Sequence, residues 1–186
     1  SNYKNAKKYL EFGYKIDIHN IAIVNNLSTL YEETGLFQKS FDILEEIYKL
    51  EPNSFVINFN LARKYSICGD FKKSEFHFLK CLKINPTNLK SFFEYSNLNL
   101  DLLKNIEIKN LEILTENSES PDNRVYGNFL IAKKHNIENE YKKEIDFYLK
   151  GKNEFYILNK KKFEQSKIFY SEENEPKVQK LSKICC

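Results

Sequence analysis

Between residues 21 and 88 the apolar positions form two sets that coincide when the chain is shifted along itself. Leu27 and Tyr31 stand one helical turn apart, as do Leu61 and Tyr65, which puts each pair on one face of a helix. Pro52 and Pro86 are 34 residues apart (86 − 52), and the same offset relates Gly35 to Gly69, Phe37 to Phe71 and Ser40 to Ser74. Small residues at Ser28, Ser40, Ala62 and Ser74 let paired helices approach closely. Gly35 and Gly69 permit the left-handed backbone that ends a helix, and Pro52 and Pro86 cannot continue one. The pattern predicts consecutive helical hairpins at 21–54 and 55–88, with second helices starting at Phe37 and Phe71.

The flanks follow this pattern less closely. Tyr3, Ala6 and Leu10 precede Phe37, Ser40 and Leu44 by the same offset, so residues 1–20 read as a partial repeat supplying only a second helix. The segment 89–122 keeps Phe92, Tyr95 and Ser96, lacks the turn glycine, and has Asn99 where Tyr31 and Tyr65 stand. Its second helix (Ile106 to about Leu114) slips by one position, and the polar run Thr115–Ser120 is poor helix material. That second helix and the loop at 115–123 are expected to be the least protected internal part, between blocks at 21–88 and 125–170. A final hairpin follows at 123–153, carrying Ile131, Ala132, His135, Asn139, Tyr141, Tyr148 and Gly151. Residues 154–186 read as capping helices: a Lys-rich helix Phe155–Tyr170, a polar loop at 171–176 and a short helix at 177–186.

Leu27, Ser28, Tyr31, Gly35, Phe37 and Pro52, repeated as Leu61, Ala62, Tyr65, Gly69, Phe71 and Pro86 with Phe78 and Cys81, resemble the tetratricopeptide repeat (TPR). The resemblance implies an all-α fold, a right-handed α-α superhelix (TPR solenoid) of stacked helical hairpins with a C-terminal capping helix. It implies a non-catalytic scaffold that holds an extended peptide or a partner helix in a concave groove lined by the first helices. The groove residues expected to bind peptide are Asn25, Asn26, Thr29, Phe59, Asn60, Arg63, Lys90, Phe93 and Asn97, with Phe59, Arg63 and Phe93 as anchors. Asn26 and Asn60 hold the same position in adjacent repeats, where stacked amides could grip a peptide backbone. The family's variant that grips a chaperone's C-terminal carboxylate is matched at Asn60 and Lys90 but not at Asn25, Thr29 and Glu94, so that ligand is not expected.

Residues 129–153 further resemble the last repeat of bacterial proteins in which TPRs precede a sulfotransferase domain. The matching positions are Phe129, Lys133, Tyr141, Tyr148 and Gly151, while Ala132 and Glu144 depart from the pattern. This implies an alternative: the repeat region of a longer sulfotransferase-like enzyme, regulating or presenting substrate to a transferase domain. The chain has no Pro-x-Ser-Gly-Thr-Thr loop to hold a sulfonate donor, so no transferase residue carries over.

Composition narrows the partners. Lys plus Arg number 29 and Asp plus Glu 26, a net charge of +3, and a protein or peptide partner is expected rather than nucleic acid or membrane. No apolar run approaches the roughly 20 residues that span a bilayer, and a cytoplasmic location is expected. The opening Ser1-Asn2, in a chain with no Met, reads as a tag remnant. Cys68, Cys81, Cys185 and Cys186 lack C-x-x-C spacing and are not grouped with His19, His77 or His135, so no metal or other cofactor is expected. Adjacent glutamates such as Glu32-Glu33 and Glu45-Glu46 do not face one another on a helix and read as solvated faces. His135 falls at the family's tyrosine position and reads as packing, and no Ser or Cys forms a triad with any histidine. Self-association through the open ends of the stack is a further expectation.

Overall fold

The structure, a computed structural model, describes residues 2–182, and the chain divides after Glu107 into two compact units. The first unit contains α1 (Asn2–Ile16), α2 (Ile21–Glu33), α3 (Phe37–Leu50), α4 (Phe55–Ile67), α5 (Phe71–Ile84), α6 (Leu89–Leu98) and the single turn α7 (Asp101–Lys104). The second contains α8 (Ile108–Glu116), α9 (Pro121–Ile137) and α10 (Tyr141–Ser182). The described residues are helices and short connections with no strand, and within each unit consecutive helices pack on one another.

Local chemistry sets the hairpins. Asn20, Asp70 and Asn88 accept the backbone N–H of Ile23, Lys73 and Ser91 and so cap the starts of α2, α5 and α6. Gly35 (φ +76°) and Gly69 (φ +79°) end α2 and α4 in left-handed backbone. The next residues close those turns, Leu36 N–H donating to Tyr31 O at 2.7 Å and Asp70 N–H to Tyr65 O at 2.9 Å. The small residues hold the helices of a hairpin together: Ser40 Oγ donates to Ser28 O at 2.7 Å, and Ser74 Oγ to Ala62 O at 2.8 Å. Val24, Leu27, Leu44, Ile47, Ile57 and Leu61 form one core cluster, each burial stabilising by about 1.5–3 kcal/mol. Phe59, Ala62, Phe78, Cys81 and Tyr95 form a second.

A tyrosine ladder joins successive hairpins in the first unit. Tyr31, Tyr65 and Tyr95 donate to Glu11, Glu45 and Glu75 at 2.9, 2.5 and 2.5 Å, each pair separated by 20 residues. Tyr95 therefore supplies the rung although position 99 lacks the tyrosine of Tyr31 and Tyr65, and Asn99 is the residue that follows α6. The reason lies on α5: Glu75, one turn before the register position of Glu45, is the acceptor, so the tyrosine moves back one turn with it.

The second unit corrects two further expectations. The helix expected at Ile106 to Leu114 is α8, which begins at Ile108 and takes in Thr115 and Glu116. Thr115 is buried, and its hydroxyl donates to Leu111 O at 2.6 Å, which satisfies a side chain that otherwise competes with the helix. Pro121 opens α9 behind a Ser120 cap, since a proline in a helix's first turn gives up no intrahelical bond. The polar loop expected at 171–176 is absent: α10 runs through it to Ser182, and that glutamate-containing stretch has no glycine to end a helix. Residues 183–186 of the short helix expected at 177–186, with Cys185 and Cys186, lie outside the described residues.

The hairpin α9–α10 repeats α4–α5 at an offset of 70 (139 − 69). Asn139 takes positive φ (+62°) where Gly69 does, and Glu140 N–H donates to His135 O as Asp70 N–H does to Tyr65 O. Asn58 and Asn128 both donate to the carbonyl one turn earlier, Ser54 and Arg124, at 2.8 Å. Phe59 meets Phe78 with ring centroids 6.1 Å apart, and Phe129 meets Tyr148 at 5.5 Å.

Candidate functional site

The expected groove residues lie on α2, α4 and α6, all in the first unit. Asn26, Thr29, Arg63 and Asn97 are exposed, while Asn25, Asn60, Lys90 and Phe93 are half-buried. Phe59, expected as a surface anchor, is buried. It stacks on Phe55 (6.0 Å) and meets Phe78 edge-on (6.1 Å) inside the second core cluster. Lys90 Nζ sits 5.5 Å from the Phe59 ring centroid, a cation–π contact from α6 to α4.

Of the two asparagines at equivalent positions, Asn60 is engaged within the protein. Asn60 Nδ2 donates to Asn25 Oδ1 at 2.7 Å, so the neighbour of Asn26 carries the link between repeats. Thr29 Oγ1 donates to Asn25 O at 2.9 Å. Lys64, buried on α4, is paired with Glu32 of α2. The α2–α4 seam is thus ordered by an amide bridge and an ion pair, with Asn26 and Arg63 left exposed on its surface. Asn26, Thr29 and Glu33 also line an open cleft of about 660 Å³ against Tyr3, Ala6 and Leu10 of α1.

Two polar arrangements have little or no signal in the sequence. Asn58 is fully buried; its Nδ2 donates to Pro52 O (2.9 Å) and Ser54 O (2.8 Å), and its Oδ1 lies 2.9 Å from His77 Nδ1. His77 stacks on Tyr65 at 5.5 Å and meets Tyr48 edge-on at 4.9 Å. Burial lowers its pKa to about 4, helped by the charges of Lys80 and Lys73. The ladder is the other arrangement, readable only as a recurring 20-residue separation. Burial first, and then the carboxylate acceptor, push the Tyr31 and Tyr95 hydroxyls up to about 12. Both arrangements are structural: each hydroxyl or ring is held by fixed partners inside the stack.

His135, expected to pack, stacks on Phe147 at 5.3 Å and also contacts Glu140 Oε2 through Nδ1 at 2.7 Å. Bonds from Lys143 and then His135 lower the pKa of Glu140. Ligand atoms of His135, Glu138 and Glu140 come within 4.8 Å of one another. Lys134 (3.1 Å) and Lys143 (2.9 Å) nevertheless already occupy the two carboxylates. Cys81 is buried and its thiol is pushed up to about 12 by burial, which leaves it unreactive at neutral pH. No described helix is long and apolar enough to cross a membrane.

Residues 56–88 match the tetratricopeptide repeat family. No curated protein matches the chain. Among solved structures, one of MamA covers 85% of this chain and 91% of its own at 11% identity and a TM-score of 0.56. A second MamA structure, MSR-1 C2, covers 84% and 89% at 17% identity and 0.52. A kinesin light chain of Podosopora anserina with nearly identical TPR-like repeats covers 84% and 88% at 14% identity and 0.54. At these identities the likeness speaks for the fold, a stack of helical hairpins, and the match to the tetratricopeptide repeat family is carried by residues 56–88.

Proposed function

We propose that this chain is a non-catalytic protein-interaction scaffold whose α2–α4–α6 face binds an extended peptide or a partner helix. The observation that carries the reading is the Asn25–Asn60 bridge beside the Lys64–Glu32 pair, which fixes Asn26 and Arg63 on a preorganised exposed surface. Asn97 and Phe93 extend that surface on α6. With Phe59 in the core, the anchoring role passes to Arg63 and Phe93, and Phe59 supports Lys90 from beneath. A photo-crosslinking residue placed at Asn26, Arg63 or Asn97 should capture a binding partner, while the same residue at Lys39 or Lys72 should not. Capture only from the α3 and α5 positions would discard the groove.

A second reading rests on the segment 129–153, where the residues that resemble the repeat preceding a sulfotransferase pack together. The Phe129 and Tyr148 rings meet, and a Cβ on Gly151 would lie 2.6 Å from Phe129. In this reading the chain is the presenting arm of a transferase. Sequencing the gene past Cys186 tests it: a donor-binding Pro-x-Ser-Gly-Thr-Thr loop supports the idea, and an immediate stop codon removes it.

A further inference from the structure

The hairpin α4–α5 shows what covers the outer face of a second helix in this protein. There α6 lies on α5, Tyr95 stacking on Phe78 (6.4 Å) and donating to Glu75, while Leu82, Leu98 and Leu102, all part-buried, pack against the same core cluster. Phe78 is left 1% exposed. The offset of 70 carries Phe78, Glu75 and Leu82 onto Tyr148, Ile145 and Lys152 of α10. Tyr148 keeps the ring contact beneath it yet is 50% exposed, and Ile145 is 58% exposed. Phe71 and Leu79, which α6 leaves exposed, map onto Tyr141 and Leu149, which are exposed to a similar degree. What α10 leaves open beyond the positions that are exposed on α5 too therefore includes the strip that α6 occupies there.

The two exchanges in that strip define its occupant. Ile145 in place of Glu75 removes the carboxylate that accepts a tyrosine hydroxyl, so the facing residue is apolar. Lys152 in place of Leu82 puts a cation where α5 has an aliphatic side chain packed against the core cluster, and its Nζ sits 5.7 Å from the Tyr148 ring centroid. Lys142 flanks the strip at its other end. We infer that Ile145, Tyr148 and Lys152 form a docking strip for an amphipathic helix of another protein, one presenting an aromatic or aliphatic stripe with carboxylates on its flank. A second copy of this chain fits poorly through α1, whose exposed Tyr9 and Phe12 are flanked by Lys4, Lys7, Lys8 and Lys15, while Glu11 beside them is already engaged by Lys7 and Tyr31.

The test uses the full chain and two fluorescein-labelled, hydrocarbon-stapled helical peptides with the same Phe/Leu stripe, one flanked by Glu and one by Lys. Fluorescence anisotropy should show saturable binding of the Glu peptide and at least about tenfold weaker binding of the Lys peptide, roughly 1.4 kcal/mol. Lys152→Glu should reverse that preference, Tyr148→Asp should abolish binding, and Arg63→Ala on the α2–α4–α6 face should leave it unchanged. Equal binding of both peptides, no saturable binding of either, or binding that survives Tyr148→Asp overturns the inference. A dimer seen by light scattering that Tyr148→Asp dissolves also overturns it, assigning the strip to a second copy. Circular dichroism of each variant establishes that it is folded, and Lys152→Glu, a surface exchange, keeps the test decisive if Tyr148→Asp is not.

Discussion

The hairpins α4–α5 and α9–α10 share a turn geometry, an asparagine bond and an aromatic pair, yet one is sealed and the other is half open. In α4–α5 the aromatic pair is roofed by Tyr95. The buried asparagine there reaches a histidine, Asn58 to His77, which sits among Tyr48 and Tyr65. In α9–α10 the register position of His77 is Phe147, and the histidine stands instead at the tyrosine position, bonded to Glu140 within its own turn. Counting back 20 residues from His135 reaches Thr115, whose hydroxyl is spent on Leu111, so the link made by Tyr65 to Glu45 has no counterpart there. Local hairpin geometry is thus retained while the bonds that tie one hairpin to the next are exchanged. In a repeat stack such bonds are the nearest-neighbour part of stability.

The comparison breaks most visibly at its aromatic pair. Phe78→Ala removes a buried ring and should cost about 3–5 kcal/mol, whereas Tyr148→Ala should cost under about 1 kcal/mol. Urea denaturation of both variants measures this, and equal losses would mean that α10's outer face is covered after all. Second comes the close crossing of α8 and α9. A Cβ on Gly127 would lie 2.1 Å from Thr115 Oγ1, so Gly127→Ala should destabilise by about 1–3 kcal/mol despite alanine's better helix propensity. Thr115→Ala in the same chain should recover part of that loss, and strict additivity in the double-mutant cycle would refute the clash.

Asn58→Ala should cost a similar or slightly smaller amount, about 1–3 kcal/mol, because it takes the buried partner from the His77 ring and one of the bonds made to each of Pro52 O and Ser54 O. The histidine sharpens this with a pH signature. Its pKa in the folded chain is about 4, below its ordinary 6.5, so the unfolded chain binds the extra proton first. Stability contributed by the neutral ring is present above about 6.5 and is lost as pH falls toward 4. His77→Gln should flatten thermal stability across that window, and an unchanged slope would exclude the ring as its source. The smallest effect belongs to the ladder: Tyr95→Phe should cost about 0.5–1.5 kcal/mol, close to Tyr31→Phe, since each loses one bond to a carboxylate.

What the sequence displays and what it conceals divide along the range of the interactions. Turns at Gly35 and Gly69 and helix starts at Phe37 and Phe71 are legible because capping chemistry acts within a few residues. The position of Asn99 misleads because a fixed offset of 34 assumes that the facing helix has not moved, and the acceptor on α5 has. Phe59 sits on the helix face that lines such grooves, but its burial is decided by Phe55, Phe78 and Lys90 on three different helices. Thr115 reads as a helix breaker by propensity, and only the bond to Leu111 and the bare backbone of Gly127 opposite make room for it.

The ladder carries a consequence for where along its helices a rung can sit. Its tyrosines stand 34 residues apart and then 30 (65 − 31, 95 − 65), yet every bond spans the same 20, and the helices that carry them, α2, α4 and α6, start 34 residues apart throughout (55 − 21, 89 − 55). The unit keeps its length while its rung moves one turn back on both helices. A shift of about four residues slides the rung like a vernier and leaves tyrosine facing acid. A shift of about two would swing the tyrosine to the opposite side of its helix and empty the rung. The positions open to a rung in this protein are quantised by the pitch of the helix.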